Sequence, residues 1–233
     1  MPSAWRLARA IVAADDDAFA ANLRGFGPVG IVAIVAVLLG NALFVPGAAL
    51  LVLLWAWRSR TPWADIGFVR LKNWLATAAI GIVFGIAFKF ALKAIVMPLL
   101  GAPPVNEAYH YLAGNRAAIP GFLYAVIVGA GFGEETVFRG YLFERFGKLI
   151  GRSTAAKIAT ILITSLWFGF AHYSVQGVPG TEQAFITGAT FGTIYAFWGR
   201  LPMLMIAHAA FDLTAYAMIY WGYETRVAHL IFR

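Results

Sequence analysis

From Phe26 onward the sequence is a succession of long apolar runs joined by short polar connectors. Runs at residues 26–57, 73–100, 119–145, 154–173 and 182–199, and a last one after Pro202, come close to or exceed the roughly 20 residues that cross a bilayer as a helix. Composition agrees, with 61% hydrophobic and 12% charged residues, where a soluble chain averages about half apolar and about a quarter charged. The expected fold class is therefore all-α, a polytopic membrane helical bundle of about six to seven transmembrane helices. Residues 26–233 form one transmembrane domain in this reading. Residues 1–25 form an interfacial amphipathic segment, because Trp5, Leu7, Ile11, Val12 and Phe19 alternate at helical spacing with Arg6, Arg9 and Asp15 to Asp17.

The net charge of +7 sits on Lys and Arg flanking the spans, which suits anionic lipid headgroups; no basic-and-aromatic pattern for nucleic acid is present. The chain has no cysteine, so it has neither a disulfide framework nor a cysteine nucleophile. Lys89 and Lys93 lie one turn apart in the later half of their span and are expected to snorkel to the headgroups. Residues 26–57 contain Pro46-Gly47 and are either one long kinked helix or a tight hairpin. The short arms of a hairpin argue against it, while the positive-inside rule favours it, since it puts Arg6, Arg9 and Arg24 with Arg58, Arg60, Arg70, Lys72, Lys148, Arg152 and Arg200. The expected location is the cell membrane, with those basic connectors cytoplasmic.

Against this apolar background Gly133-Glu134-Glu135-Thr136-Val137-Phe138-Arg139-Gly140 stands out. On a helix Glu135 and Arg139 are i and i+4 and meet on one face, whereas Glu134 is turned about a hundred degrees away. Glu135 and Arg139 read as a structural pair. Glu134 is left over, and an unpaired carboxylate facing hydrocarbon costs roughly 2.5–3.5 kcal/mol, so it should face a polar cavity. Two other spans supply His172, and His208 with Asp212 at i+4. Counted from the nearest basic connector at ~1.5 Å per residue, Glu134 lies ~16 Å deep, His172 ~22 Å and His208 ~12 Å. Two histidines and two carboxylates can hold and deprotonate a water, directly or through a bound metal.

The three motifs, Glu134-Glu135-x-x-x-Arg139, Phe168-x-x-x-His172 and His208-x-x-x-Asp212, on separate spans and in that order within residues 119–222, resemble the CAAX-protease and bacteriocin-processing (Abi-type) family of intramembrane proteases. The Asp65-Ile66-Gly67-Phe68 stretch resembles that family more weakly. The resemblance implies a hydrolase that cleaves a peptide bond of a membrane-associated peptide or protein, with lipidated substrates among the options. Glu134 and His172 would activate the water, His208 and residue 212 would bind the oxyanion, and Glu135 and Arg139 would brace the site. An ionised Asp212 cannot donate to an oxyanion, so it would have to be protonated, orient His208, or ligate a metal. A glutamic mechanism and a metalloprotease, with a divalent ion such as zinc on Glu134, His172, His208 and Asp212, are both open on this reading. Buried Glu and His also mark proton- or ion-coupled transporters, and a non-catalytic membrane binding protein could use the same cavity.

Overall fold

The structure is a computed structural model that describes residues 15–232. Most of the expected amphipathic segment, residues 1–14, lies outside the described residues; its remainder forms helix α1, Asp15–Arg24. There follow α2 (Pro28–Leu43), α3 (Val45–Arg58), α4 (Trp74–Leu99), α5 (Arg116–Ile150), α6 (Thr154–Trp198), α7 (Leu201–Tyr220) and the short α8 (Glu224–Ala228). No strand occurs among the described residues.

Residues 26–57 resolve as the hairpin. Phe44 leaves the helical region at φ −159° and ψ 94°, and Pro46 sits in the first turn of α3, where its missing N–H costs nothing. A side chain at Gly40 would meet Leu51 Cδ1 at 3.3 Å and Ala48 Cα at 3.5 Å, which a continuous helix rising about 1.5 Å per residue could not allow for residue 51. At the open end Trp55 Nε1 donates to Leu23 O (3.0 Å) and Arg145 Nη1 donates to Arg24 O (3.0 Å). Arg24 thus lies at the same end of the bundle as Arg58 and Arg145, and Asp17 pairs with Arg60. The length argument fails because the arms need not each make a full crossing: the tip residues Leu43 to Pro46 line an internal cavity.

Four helices are long and apolar enough to cross a membrane, or up to five if α1 and α2, bent by 56°, count as one span. The lower number relative to the sequence estimate has two local causes. The arms α2 and α3 are only 16 and 14 residues long. The connector expected around Gln176 to Gly180 shrinks to a single residue, Gly177, whose φ 62° and ψ −159° interrupt an otherwise helical stretch of 45 residues. Such backbone angles are open essentially only to glycine. Pro179 then stands at the start of the resumed helix, and Thr181 Oγ1 donates to Gly177 O at 2.9 Å.

Small residues set the packing, as expected where lipid supplies no hydrophobic drive between helices. A side chain at Gly81 would meet Met203 O at 2.9 Å, and one at Gly85 would run into the Ala207 carbonyl. Helices α4 and α7 therefore run in the same direction and in step, with residue 81 level with 203–206 and residue 85 level with 207–210. On the other side of α7, Gly131 of α5 packs against Met205 O in the same way, and Gly188 of α6 packs against Ser165. The Asp65–Phe68 stretch closes the basic end of the bundle: Ile66 is fully buried, Gly67 adopts φ 82°, and its carbonyl accepts from Leu201 N at 3.0 Å. The connector between α4 and α5 lies at the opposite end, held by Gly114 N donating to Tyr220 O (3.1 Å) and Asn106 N donating to Glu224 Oε1 (3.0 Å).

Single cysteines can be placed without background labelling in a chain that has none. With the positive-inside rule, cysteines at Arg60 and Arg152 should react with a membrane-impermeant maleimide only after cells are opened, and one at Glu107 should react in intact cells. Labelling of all three from one side would contradict the two-ended arrangement.

Candidate active site

The site begins with the backbone of α5. Between Ala125 and Tyr141 the helix is wound wide, in the π form, and Leu142 N–H reaches back to Val137 O. Wide turns of this kind are frequent at functional sites. Gly131 and Gly133 precede the carboxylates, and the absence of side chains there lets α7 and the hairpin tip approach: a side chain at Gly131 would meet Met205 O at 2.8 Å and one at Gly133 would meet Val45 Cγ1 at 2.7 Å.

Glu135 is fully buried and points away from the cavity into a polar knot. Its Oε1 accepts from Arg139 Nη1 at 2.8 Å and from His208 Nδ1 at 2.7 Å. The guanidinium of Arg139 lies 4.8 Å from the ring centre of Phe168 and 5.5 Å from that of Phe191, so aromatic faces take up the rest of its charge. Because Glu135 accepts from a cation as well, the Nδ1 of His208 carries the proton of the shared bond. The imidazole is thereby fixed, its edge set against Phe191 with ring centres 5.6 Å apart, and its Nε2 is directed toward the cavity. The pairing of Glu135 with Arg139 is as the sequence spacing implies; the bond to His208 had no signal in the sequence, because it joins residues 73 positions apart.

All four residues singled out from the sequence line one cavity of about 700 Å³. Glu134 Oε2 and Asp212 Oδ2 each stand 3.7 Å from His208 Nε2, close enough to interact electrostatically and too far for hydrogen bonds. Glu134 Oε2 is buried and has no donor among the described residues. His172 donates from Nδ1 to Phe168 O at 2.7 Å. A carbonyl can only accept, so this bond assigns the proton to Nδ1 and leaves Nε2 to face the cavity as an acceptor when the ring is neutral. His172 and Glu134 share the cavity without touching: no carboxylate lies within 4.0 Å of the His172 ring nitrogens among the described residues.

The ligand set Glu134, His172, His208 and Asp212 does not fit a metal as it stands. Among the described residues no three His, Asp or Glu side chains are grouped to hold one.

The remaining wall includes Lys89, Gln183, Gln176 and Tyr109, none of which the sequence reading assigned to the site. Lys89 does not snorkel; it is 5% exposed, donates from Nζ to Gln183 Oε1 at 2.8 Å and lies 4.7 Å from the ring centre of Phe211. Lys93 is likewise buried, donating to Pro104 O at 2.6 Å with Glu224 at 3.6 Å. The snorkelling expectation fails because this part of α4 faces α6, α7 and the connector rather than lipid. Tyr109, from the connector, accepts from Gln176 Nε2 at 3.3 Å; burial, with the nearby charge of Asp212 next, pushes its phenol up to about 12. It is thus a neutral hydroxyl at the cavity. His110 and His229 are exposed and lie away from the cavity lining.

Comparison with known families adds the decisive observation: a family model described as Type II CAAX prenyl endopeptidase Rce1-like matches residues 116–214. The segment that carries the motifs is Rce1-like. This agrees with the resemblance to the CAAX-protease and bacteriocin-processing family read from the motifs, and that family is one of proteases acting on membrane-associated proteins. The Rce1-like segment takes in Glu134, Glu135, Arg139, His172, His208 and Asp212, while Lys89 and Tyr109 precede it. No curated protein and no solved structure matches the chain.

Arg139→Met should lower stability by about 3–5 kcal/mol, the usual consequence of removing one partner from a buried ion pair. Unfolding in detergent, followed by circular dichroism, measures it. A loss below about 1 kcal/mol, typical of an exposed pair, would mean that the knot is not buried in the working protein.

Proposed function

We propose that the chain is an intramembrane endopeptidase hydrolysing a peptide bond of a membrane-associated peptide or protein. The observation that carries this reading is the convergence of Glu134, His172, His208 and Asp212, from three helices of an Rce1-like segment, on one cavity. Glu134 is the general base. Its carboxylate takes a proton from a water whose other hydrogen is accepted by Nε2 of His172, and the oxygen attacks the scissile carbonyl carbon. The carbonyl oxygen becomes an oxyanion beside His208, whose imidazolium form donates from Nε2 while Nδ1 stays on Glu135. Collapse of the tetrahedral intermediate breaks the C–N bond, and the proton held by Glu134 passes to the leaving nitrogen, giving a carboxylic acid and an amine; transfer of the acid proton to the amine then leaves a carboxylate and an ammonium.

This assigns Asp212 the role of supporting the charge of His208 rather than binding the oxyanion itself. No step is routed through a metal, because the four side chains are not gathered to bind one. Substrate lipidation is compatible with the apolar lining around the hairpin tip, where Leu43 to Pro46 meet the cavity.

The test is cleavage of a membrane-reconstituted peptide library, read by mass spectrometry. Glu134→Gln should reduce the rate by about 10²–10⁴-fold, the span attributed to general-base catalysis, with the fold intact by circular dichroism. Full activity in that variant would remove the base from Glu134. Wild-type cleavage should survive a chelator; its loss, with recovery on adding zinc, would instead support a metalloprotease. Solute uptake that depends on Glu134 without any proteolysis would favour the transporter reading.

A further inference from the structure

Four lysine and arginine side chains are buried among the described residues: Lys89, Lys93, Arg139 and Arg145. Three have a carboxylate partner, with Glu224 at 3.6 Å from Lys93, Glu135 at 2.8 Å from Arg139 and Glu144 at 2.5 Å from Arg145. Lys89 differs, since no carboxylate lies within 4.0 Å of its Nζ among the described residues. It is also the one of the four that lines the cavity containing the candidate catalytic groups. A buried ammonium with no carboxylate in contact is costly; the amide of Gln183 and the ring of Phe211 carry no formal charge, and the Asp212 carboxylate acts on Lys89 only from beyond 4.0 Å across the cavity.

We infer that Lys89 and the side-chain amide of Gln183 bind a carboxylate of the peptide substrate. The inference rests on the endopeptidase reading and names a chemical feature of its substrate. A lysine can only donate, so its 2.8 Å bond to Gln183 fixes the amide with the oxygen toward Lys89 and turns the NH₂ group outward as a further donor. Lys89 keeps two of its three N–H groups for a ligand. The register of α4 against α7 puts Lys89 level with Phe211, adjacent in sequence to Asp212 and less than one turn from His208. A cavity of about 700 Å³ holds a ligand of drug-like size, equivalent to a few residues of extended peptide. The carboxylate recognised is therefore only a few residues from the bond that is cut. Two groups supply that chemistry, the α-carboxylate of a peptide C-terminus and an Asp or Glu side chain.

The test uses the reconstituted full chain and a peptide library in which each member is made in three forms: free acid, C-terminal amide, and free acid with Asp and Glu replaced by Asn and Gln. Cleavage by the wild type and binding of the same fluorescent peptides to Glu134→Gln are both measured. Neutralising the recognised carboxylate should raise KM and weaken binding by roughly 10- to 100-fold, the size of a charge-assisted hydrogen bond, with little change in kcat. Sensitivity to amidation identifies the C-terminus as the source; sensitivity to the side-chain replacement identifies an acidic residue. In Lys89→Met the free and neutralised peptides should become equivalent, and Lys89→Arg should restore the difference. A purely structural lysine would lower the handling of all three forms equally, which would overturn the inference. So would indifference of the wild type to both neutralisations, a comparison that needs no variant to fold. Cleavage without carboxylate dependence defeats the Lys89 assignment alone, carboxylate-dependent binding without cleavage defeats the endopeptidase reading alone, and absence of both defeats the two together.

Discussion

Everything in the candidate site hangs on one carboxylate, Glu135, shared between the Arg139 guanidinium and the His208 imidazole inside the bundle. Each of the three groups would be costly alone at that depth. Together the charges of Glu135 and Arg139 balance, and the rings of Phe168 and Phe191 lie against the guanidinium. The knot links α5 to α7 and, through the Phe168 ring, to α6. It also sets a tautomer: with Nδ1 given to Glu135, His208 can address the cavity only through Nε2. The adjacent residue, Glu134, lines the cavity, and its buried Oε2 has no donor among the described residues. Two neighbouring glutamates thus have separate tasks because consecutive positions on a helix face different surroundings.

That knot is possible only because the helices around it come unusually close. Glycines at 81, 85 and 131 let α7 be held between α4 and α5 at backbone distance, so His208 on α7 reaches a carboxylate on α5 directly. The wide winding of residues 125–141 belongs to the same arrangement. The same cavity is walled by Lys89, Gln183, Gln176 and Tyr109 beside the motif residues, so hydrogen-bonding side chains adjoin the knot.

Within the family resemblance, Asp212 is the residue whose chemistry departs from an oxyanion-donating role. Its Oδ2 lies 3.7 Å from His208 Nε2, and Glu134 Oε2 lies at the same distance. In the proposed mechanism, donation to an oxyanion falls to the histidine, and the acid at position 212 stands beside it rather than serving as the donor.

The apolar runs alone determined an all-helical membrane bundle, because in lipid the backbone has to satisfy its own hydrogen bonds and twenty-residue apolar segments have few other outcomes. Local spacing determined the Glu135–Arg139 pair and put His208 and Asp212 on one face, since i and i+4 positions meet on any helix. The energetic cost of a carboxylate in hydrocarbon marked Glu134 as facing a cavity. Tertiary structure decided what no local rule reaches: the turn at Phe44, the single-residue break at Gly177, the bond from Glu135 to His208 across 73 positions, and the fate of Lys89. Whether a lysine near a helix end snorkels or is buried depends on what packs beside it, and that neighbour, α6, is contributed by residues almost a hundred positions away.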